Sequence, residues 1–178
     1  MVLTVKRPET RVLFCLDGDL KAAHEAAEAE FNEARNKSLA DARLNDPVKD
    51  LAQKVSDVEA EMKAASVTFL IRGLPRGAWS DLVAAHAPRE GNTLDKSYGY
   101  NVEALMVEAI PQSIVSVENS AGEVLPFDPA KEWDALADEM TNSQYEDFVL
   151  AAMRVNAGRN DVPFSLSAFR MIQDFEQK

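Results

Sequence analysis

A single cysteine stands in the 178 residues, so no disulfide can form within the chain, and a reducing compartment is the economical inference. Cys15 lies between Phe14 and Leu16. Nothing beside it would lower its pKa, so a buried structural thiol is expected rather than a nucleophile. Histidine is almost as scarce. His24 and His86 lie far apart, and with one cysteine they supply no zinc-ligand spacing. Cations are the minority charge: 19 Lys and Arg against 30 Asp and Glu leave a net charge of −11. Such a surface repels phosphate backbones, so no nucleic-acid partner is expected. No apolar run approaches the roughly 20 residues of a membrane span, and none long enough for a secretory core follows Lys6 and Arg7. These absences predict a soluble, cytoplasmic protein with no membrane partner.

What the chain does have is one strongly apolar stretch that changes character midway. Val67 to Ile71 is β-branched and aromatic, which predicts a buried or half-buried strand. Gly73 and Pro75 then punctuate it, and Pro75 suits the first turn of a helix. Ala78, Trp79, Leu82, Val83 and His86 follow at helical spacing.

Upstream, Arg11–Leu16 reads as a second strand, preceded by a weak strand or frayed end over residues 1–10. Asp17-Gly18-Asp19 breaks it, with Asp19 placed to cap a helix from Leu20 to about Arg43. That segment is rich in alanine and charge, with neither glycine nor proline, and has a thin seam of Leu20, Ala23, Ala27, Phe31 and Ala34. Asn45-Asp46-Pro47 predicts a stop and restart, with Asp46 as cap. Val48, Leu51, Val55, Val58 and Met62 then recur at spacings of three and four. A loop this short makes the helices antiparallel, so residues 20–65 form an αα-hairpin. The hairpin returns the chain to its start, and its two flanking strands can pair. The hairpin is either a self-satisfied pair of helices or a projecting arm that meets other subunits.

Downstream, residues 87–99 read as loop. Asn101 caps a helix over Val102–Ala109 that Pro111 ends. Ser113–Glu118 is a strand, Asn119–Gly122 a turn, and Val124-Leu125 the start of a partner strand. Asp128-Pro129 opens a helix through Trp133 and Met140. Another runs from Asn142 or Ser143 to Ala157, with Gly158 at C′. Phe164, Leu166, Phe169, Ile172 and Phe175 crowd a short tail that either folds back on the core or stays exposed as a contact. The fold class expected is α+β, mostly α-helical, with a small antiparallel sheet, a protruding αα-hairpin and a C-terminal helical region. Residues 1–16 form an N-terminal strand region, 17–65 the arm and 66–178 a helical domain.

Catalytic patterns are few. The glycines near residue 73 lack the Lys-Ser/Thr of a phosphate loop, and Asp17-Gly18-Asp19 lacks the remaining calcium ligands. No carboxylate pair is singled out. Trp79 and Trp133 are expected in the core. Arg72, Arg76 and Arg89 either make a positive patch or pair with carboxylates.

Leu74-Pro75-Arg76-x-Ala78-Trp79, the helix into Ala85-His86-Ala87-Pro88-Arg89, then Tyr100-Asn101 and a short helix before Pro111, resemble tail assembly chaperones of long-tailed bacteriophages, especially those infecting actinobacteria. The likeness continues through Glu132–Leu136, the helix near Tyr145–Asn156 and the Ser165-x-x-x-Phe169-Arg170 ending. It covers roughly residues 66–177; the hairpin has no counterpart in it. The resemblance implies a non-enzyme, without cofactor or metal, in the cytoplasm of an infected bacterial host. It implies binding to the tape-measure protein and support for tail tube assembly, with other tail proteins or a second copy of the chain as further partners. The expected contacts are Phe164, Leu166, Phe169, Ile172 and Phe175 in the tail, then Pro75, Arg76 and Trp79 at the turn. Two other classes stand beside it: a structural virion or adaptor protein assembling through the hairpin, and an enzyme with an unrecognised carboxylate site.

Overall fold

The computed structural model describes residues 3–40 and 46–158. The fold is α+β and mostly helical, around a small antiparallel sheet. In chain order it runs β1 (Glu9–Cys15), α1 (Gly18–Ala40), α2 (Asp46–Ala64), β2 (Ser66–Arg72), α3 (Arg76–Ala85), α4 (Thr93–Tyr98), α5 (Val102–Ser113), β3 (Ile114–Asn119), β4 (Val124–Leu125), α6 (Pro129–Asp138) and α7 (Asn142–Ala157). The strands lie in sequence order, β1-β2-β3-β4. The expected neighbours β1 and β2 pair along their whole length, from Glu9 opposite Arg72 to Cys15 opposite Ser66.

The sheet forms because alternate residues of each strand share one inner face. Val12 lies opposite Phe69, Phe69 opposite Val117, and Val117 opposite Leu125. Phe69 sits at the centre, 1% exposed. Its ring meets Phe14, Phe127, Trp133 and Phe148 edge-on, at centroid distances of 6.3, 5.7, 6.4 and 5.1 Å. Burying such a ring stabilises by about 1.5–3 kcal/mol, with aromatic geometry adding about 0.5–1.5 kcal/mol per pair. α5, α6 and α7 contribute Leu105, Met106, Ile110, Trp133, Phe148 and Ala152 to the same core.

Between β1 and β2 the chain makes the expected hairpin. The α2 seam of Val48, Leu51, Val55, Val58 and Met62 is half-buried at every position. In α1 the seam runs through Leu20, His24, Ala27, Phe31 and Ala34; Ala23 is exposed and His24 takes its place. Counting from Leu20 in steps of four and three selects His24, a polar residue that an apolar pattern passes over. The N-terminal cap is Asp17 rather than Asp19: its Oδ1 accepts from the Asp19 and Leu20 amides, and the helix begins at Gly18. Leu16 N–H donates to the Ala65 carbonyl at 3.1 Å and closes the foot of the arm. The expected stop at Arg43 and Asn45 lies outside the described residues.

Three further expectations are corrected. Residues 93–98 form α4 within the stretch read as loop. Asn92 Oδ1 accepts from the Leu94 and Asp95 amides, and Gly99, at φ +82°, ends the helix in the left-handed region. Pro111 does not end α5, which continues to Ser113. The helix survives because Ala109, Ile110 and Ser113 are buried around the proline and only one bond, to the Val107 carbonyl, is lost. Gly158 follows α7 as expected, but with φ −66° and ψ 153° it is extended, not left-handed.

Gly73 is required by close approach rather than by its dihedrals. A Cβ there would sit 2.5 Å from the Val155 carbonyl oxygen, whereas one on Gly77 would meet nothing within 4 Å. Gly73→Ala is therefore expected to destabilise by about 1–3 kcal/mol, and Gly77→Ala, inside α3, to stabilise by about 0.5–1 kcal/mol. Urea unfolding of the two variants checks the pair. Equal effects of one sign would contradict this packing of α7 on the end of β2.

Candidate partner-binding surface

The turn after β2 is held from three sides. Gly73 N–H donates to the Pro8 carbonyl at 2.9 Å, and the Arg7 guanidinium donates to the Gly73 carbonyl at 2.8 Å. Leu74 N–H donates to Asn156 Oδ1 at 2.6 Å, which ties the turn to α7. Pro75 is the N-cap of α3, one residue before the first helical position. Pro75 and Arg76 are exposed, but Trp79 turns inward and is half-buried. Its ring stands edge-on to Tyr100 at 6.0 Å. The three residues expected to act as one contact thus divide: two face solvent, and the third is largely spent on packing. Burial raises the pKa of the Tyr100 hydroxyl, with Tyr98 adding to the effect, and this hydroxyl has no hydrogen-bond partner among the described residues.

The positive patch weighed for Arg72, Arg76 and Arg89 does not form. Arg72 Nε donates to Glu9 Oε1 at 2.7 Å across the β1–β2 pair. Arg89 grips the buried Asp95 from three atoms: Nε at 2.7 Å, Nη2 at 3.1 Å and its own backbone N–H at 3.1 Å. Its remaining Nη1 donates to Glu103 at 2.8 Å. This guanidinium draws the Asp95 carboxyl down to about 2, against the opposing effect of burial. The pair fastens the 87–92 loop to α4.

A different surface emerges on the outer face of the sheet. The strand residues that do not face the core are Arg11 and Leu13 of β1, Thr68 and Leu70 of β2, Ser116 and Glu118 of β3, and Val124 of β4. Leu13 is 72% exposed and Val124 68% exposed. Beside them a groove of about 540 Å³ lies between the sheet and the foot of the arm. Leu13 and Thr68 line it from the sheet, Met62, His24 and Glu59 from the arm, and the Ser120–Gly122 turn closes one end. His24 Nε2 is 3.4 Å from Glu59 Oε1, which joins α1 to α2 at the groove wall. Arg11 and Glu118 approach to 3.8 Å on the same face. The arrangement offers apolar area with a few polar groups around it, which suits binding.

This face is absent from the contacts expected from the sequence, although the sequence carries a signal for it. Residues Val12–Leu16 are apolar without alternation, so the strand carries Leu13 on the side opposite Val12 and Phe14. In an antiparallel sheet such a run marks a strand with apolar groups on both faces. Cys15, expected buried, is half-buried, and its Sγ donates to the Asp17 carbonyl at 3.3 Å. His86 ends α3 as expected, with Nδ1 2.8 Å from the Leu82 carbonyl oxygen. Phe164, Leu166, Phe169, Ile172 and Phe175 lie outside the described residues. Among the described residues no cluster of three or more His, Cys, Asp or Glu could hold a metal ion, and no helix is long and apolar enough to cross a membrane.

Because the Asp95 pKa is lowered from an unfolded value of about 4, the pair contributes stability above about pH 4 and loses it as pH falls toward 2. Asp95→Asn should therefore unfold at lower urea than the parent at pH 7, with the gap narrowing between pH 4 and pH 2. A gap independent of pH would contradict the ion pair. Comparison of the chain with protein-family models, with curated proteins and with solved structures returned no match.

Proposed function

We propose that this chain is a tail assembly chaperone that keeps apolar helical segments of a tape-measure protein soluble while the tail tube forms around them. The carrying observation is the outer sheet face. Leu13 and Val124 stand open to solvent next to the groove under the arm, on the side of the sheet that the core does not use. A sheet face that exposes two large apolar side chains, on either side of Thr68 and Glu118 and beside a groove, is a binding surface in search of cover. Binding of this kind needs differential contact with a partner and no chemistry. The order of segments from Leu74 to Arg170 supports the family reading, and the host bacterial cytoplasm is the compartment that follows from it. A second reading, an adaptor that assembles through the arm, is favoured by one feature: α1 and α2 pack chiefly on each other.

Co-expression with the tape-measure protein tests the proposal. Leu13→Gln with Val124→Gln changes two exposed side chains, so stability should move by no more than about 0.5 kcal/mol. Soluble tape-measure protein recovered with the variant should fall by about fivefold or more, as loss of a central apolar contact implies. Undiminished recovery would remove the outer face as the site. Failure of the parent protein to co-purify with any tape-measure segment would remove the chaperone reading itself.

A further inference from the structure

A second surface lies on the helical side of the molecule, along α5 and α6. Two adjoining hollows of about 350 and 400 Å³ share Val107 and Asp134. Val107, 52% exposed, is the apolar centre, with Pro111 to one side and Ala137 to the other. The α5 residues buried in the core include Leu105, Met106, Ala109 and Ile110, so Val107 looks away from it. Glu108, Asp134 and Asp138 stand exposed along the rim, and among the described residues no lysine or arginine lines either hollow.

An independent feature marks the same place. Pro111 has no N–H, so the Val107 carbonyl lacks the donor that residue 111 would supply in an uninterrupted helix. The centre of the trough thus pairs an exposed apolar side chain with a backbone acceptor missing its usual partner. On the far wall, burial and then the Asp134 and Glu103 carboxylates raise the Tyr145 pKa, consistent with negative potential over an aromatic floor.

We propose that this trough docks a lysine- or arginine-bearing amphipathic segment of a partner protein. An apolar residue of the segment seats over Val107 and Ala137, its cations lie among Glu108, Asp134 and Asp138, and one of its N–H groups meets the Val107 carbonyl. The sign of the rim selects this occupant. Among the described residues the one basic group within ion-pair distance of these three carboxylates is His86, whose Nε2 is 3.4 Å from Glu108 Oε1; the carboxylates repel one another, and an incoming positive charge relieves them. A neutral apolar segment would leave that repulsion in place, and an acidic one would add to it. The half-buried ring of Tyr145 adds to the attraction for a cation. The inference does not depend on the partner proposed for the outer sheet face.

The test uses the full chain and a fluorescent peptide of leucine and lysine at helical spacing, with a glutamate-for-lysine counterpart as control. One variant combines Glu108→Gln, Asp134→Asn and Asp138→Asn. A second, Glu25→Gln with Glu28→Gln and Glu61→Gln, makes the same change in net charge at exposed positions on the arm. The trough variant should weaken peptide binding by about tenfold or more, and the arm variant by about twofold or less, since exposed charges beyond a Debye length are screened. Val107→Ser, which leaves every charge in place, should also weaken binding and serves if the triple variant does not fold. Equal losses in the two triple variants would mean diffuse attraction to an acidic protein and would overturn the proposal. So would full affinity in both the trough variant and Val107→Ser, or equal binding of the glutamate peptide.

Discussion

The edge-on packing of Phe69 among four other rings is the contact on which the rest of the molecule depends. It gathers β1, β2, the segment before α6, α6 itself and α7 around one side chain. Trp133 and Phe148 meet each other as well, at 4.9 Å, so the helical layer is locked to the sheet and to itself. The consequence is asymmetry. The large rings of the described sheet and helices are concentrated on the inner face, whereas the outer face carries Leu13, Thr68, Leu70 and Val124 with charged neighbours. A core satisfied from one side leaves the other face available for partners.

The hairpin follows from the same constraint. It leaves the sheet at Cys15 and returns at Ser66, two residues that lie opposite each other, so its foot has the width of a strand pair. Its seam is narrow, and Ala27 is fully buried within it. It does not feed the aromatic core. Its contribution near the sheet is the groove wall of His24, Glu59 and Met62. The other open surface, the trough of α5 and α6, lies across the molecule and differs in chemistry: apolar at its centre and acidic at its rim, where the sheet face mixes both signs through Arg11 and Glu118. The two surfaces suit different partners, or different parts of one.

Much of the architecture was legible because local rules and tertiary demands agree. Val48, Leu51, Val55, Val58 and Met62 form a seam in the structure at the spacing that marks it in the sequence. Asn101 and Asp128 cap the helices that follow them. The departures arise where a short-range rule meets a long-range one. The six residues of α4 carry little helical signal; capping and the Arg89–Asp95 pair define them. Pro111 should end a helix in isolation, but buried neighbours on both sides hold α5 together. The outer sheet face was hidden for another reason. Leu13 reads as one more core residue until the register places it opposite Thr68 rather than Phe69. The trough could not be read at all, since Val107 and Asp134 meet only through the packing of two helices.

In the arrangement proposed for this chain, the inner face of the sheet is committed to the core and the outer face receives the partner. Amide hydrogen exchange, followed for the chain alone and bound to a tape-measure protein, tests it most directly. Alone, Val67–Ile71 should exchange slowest, since β2 has a neighbour on each side. On binding, added protection should appear in β1, β4 and the stretch of α2 around Met62. Protection confined to α6 and α7, with β1 and β4 unchanged, would contradict binding at the outer face.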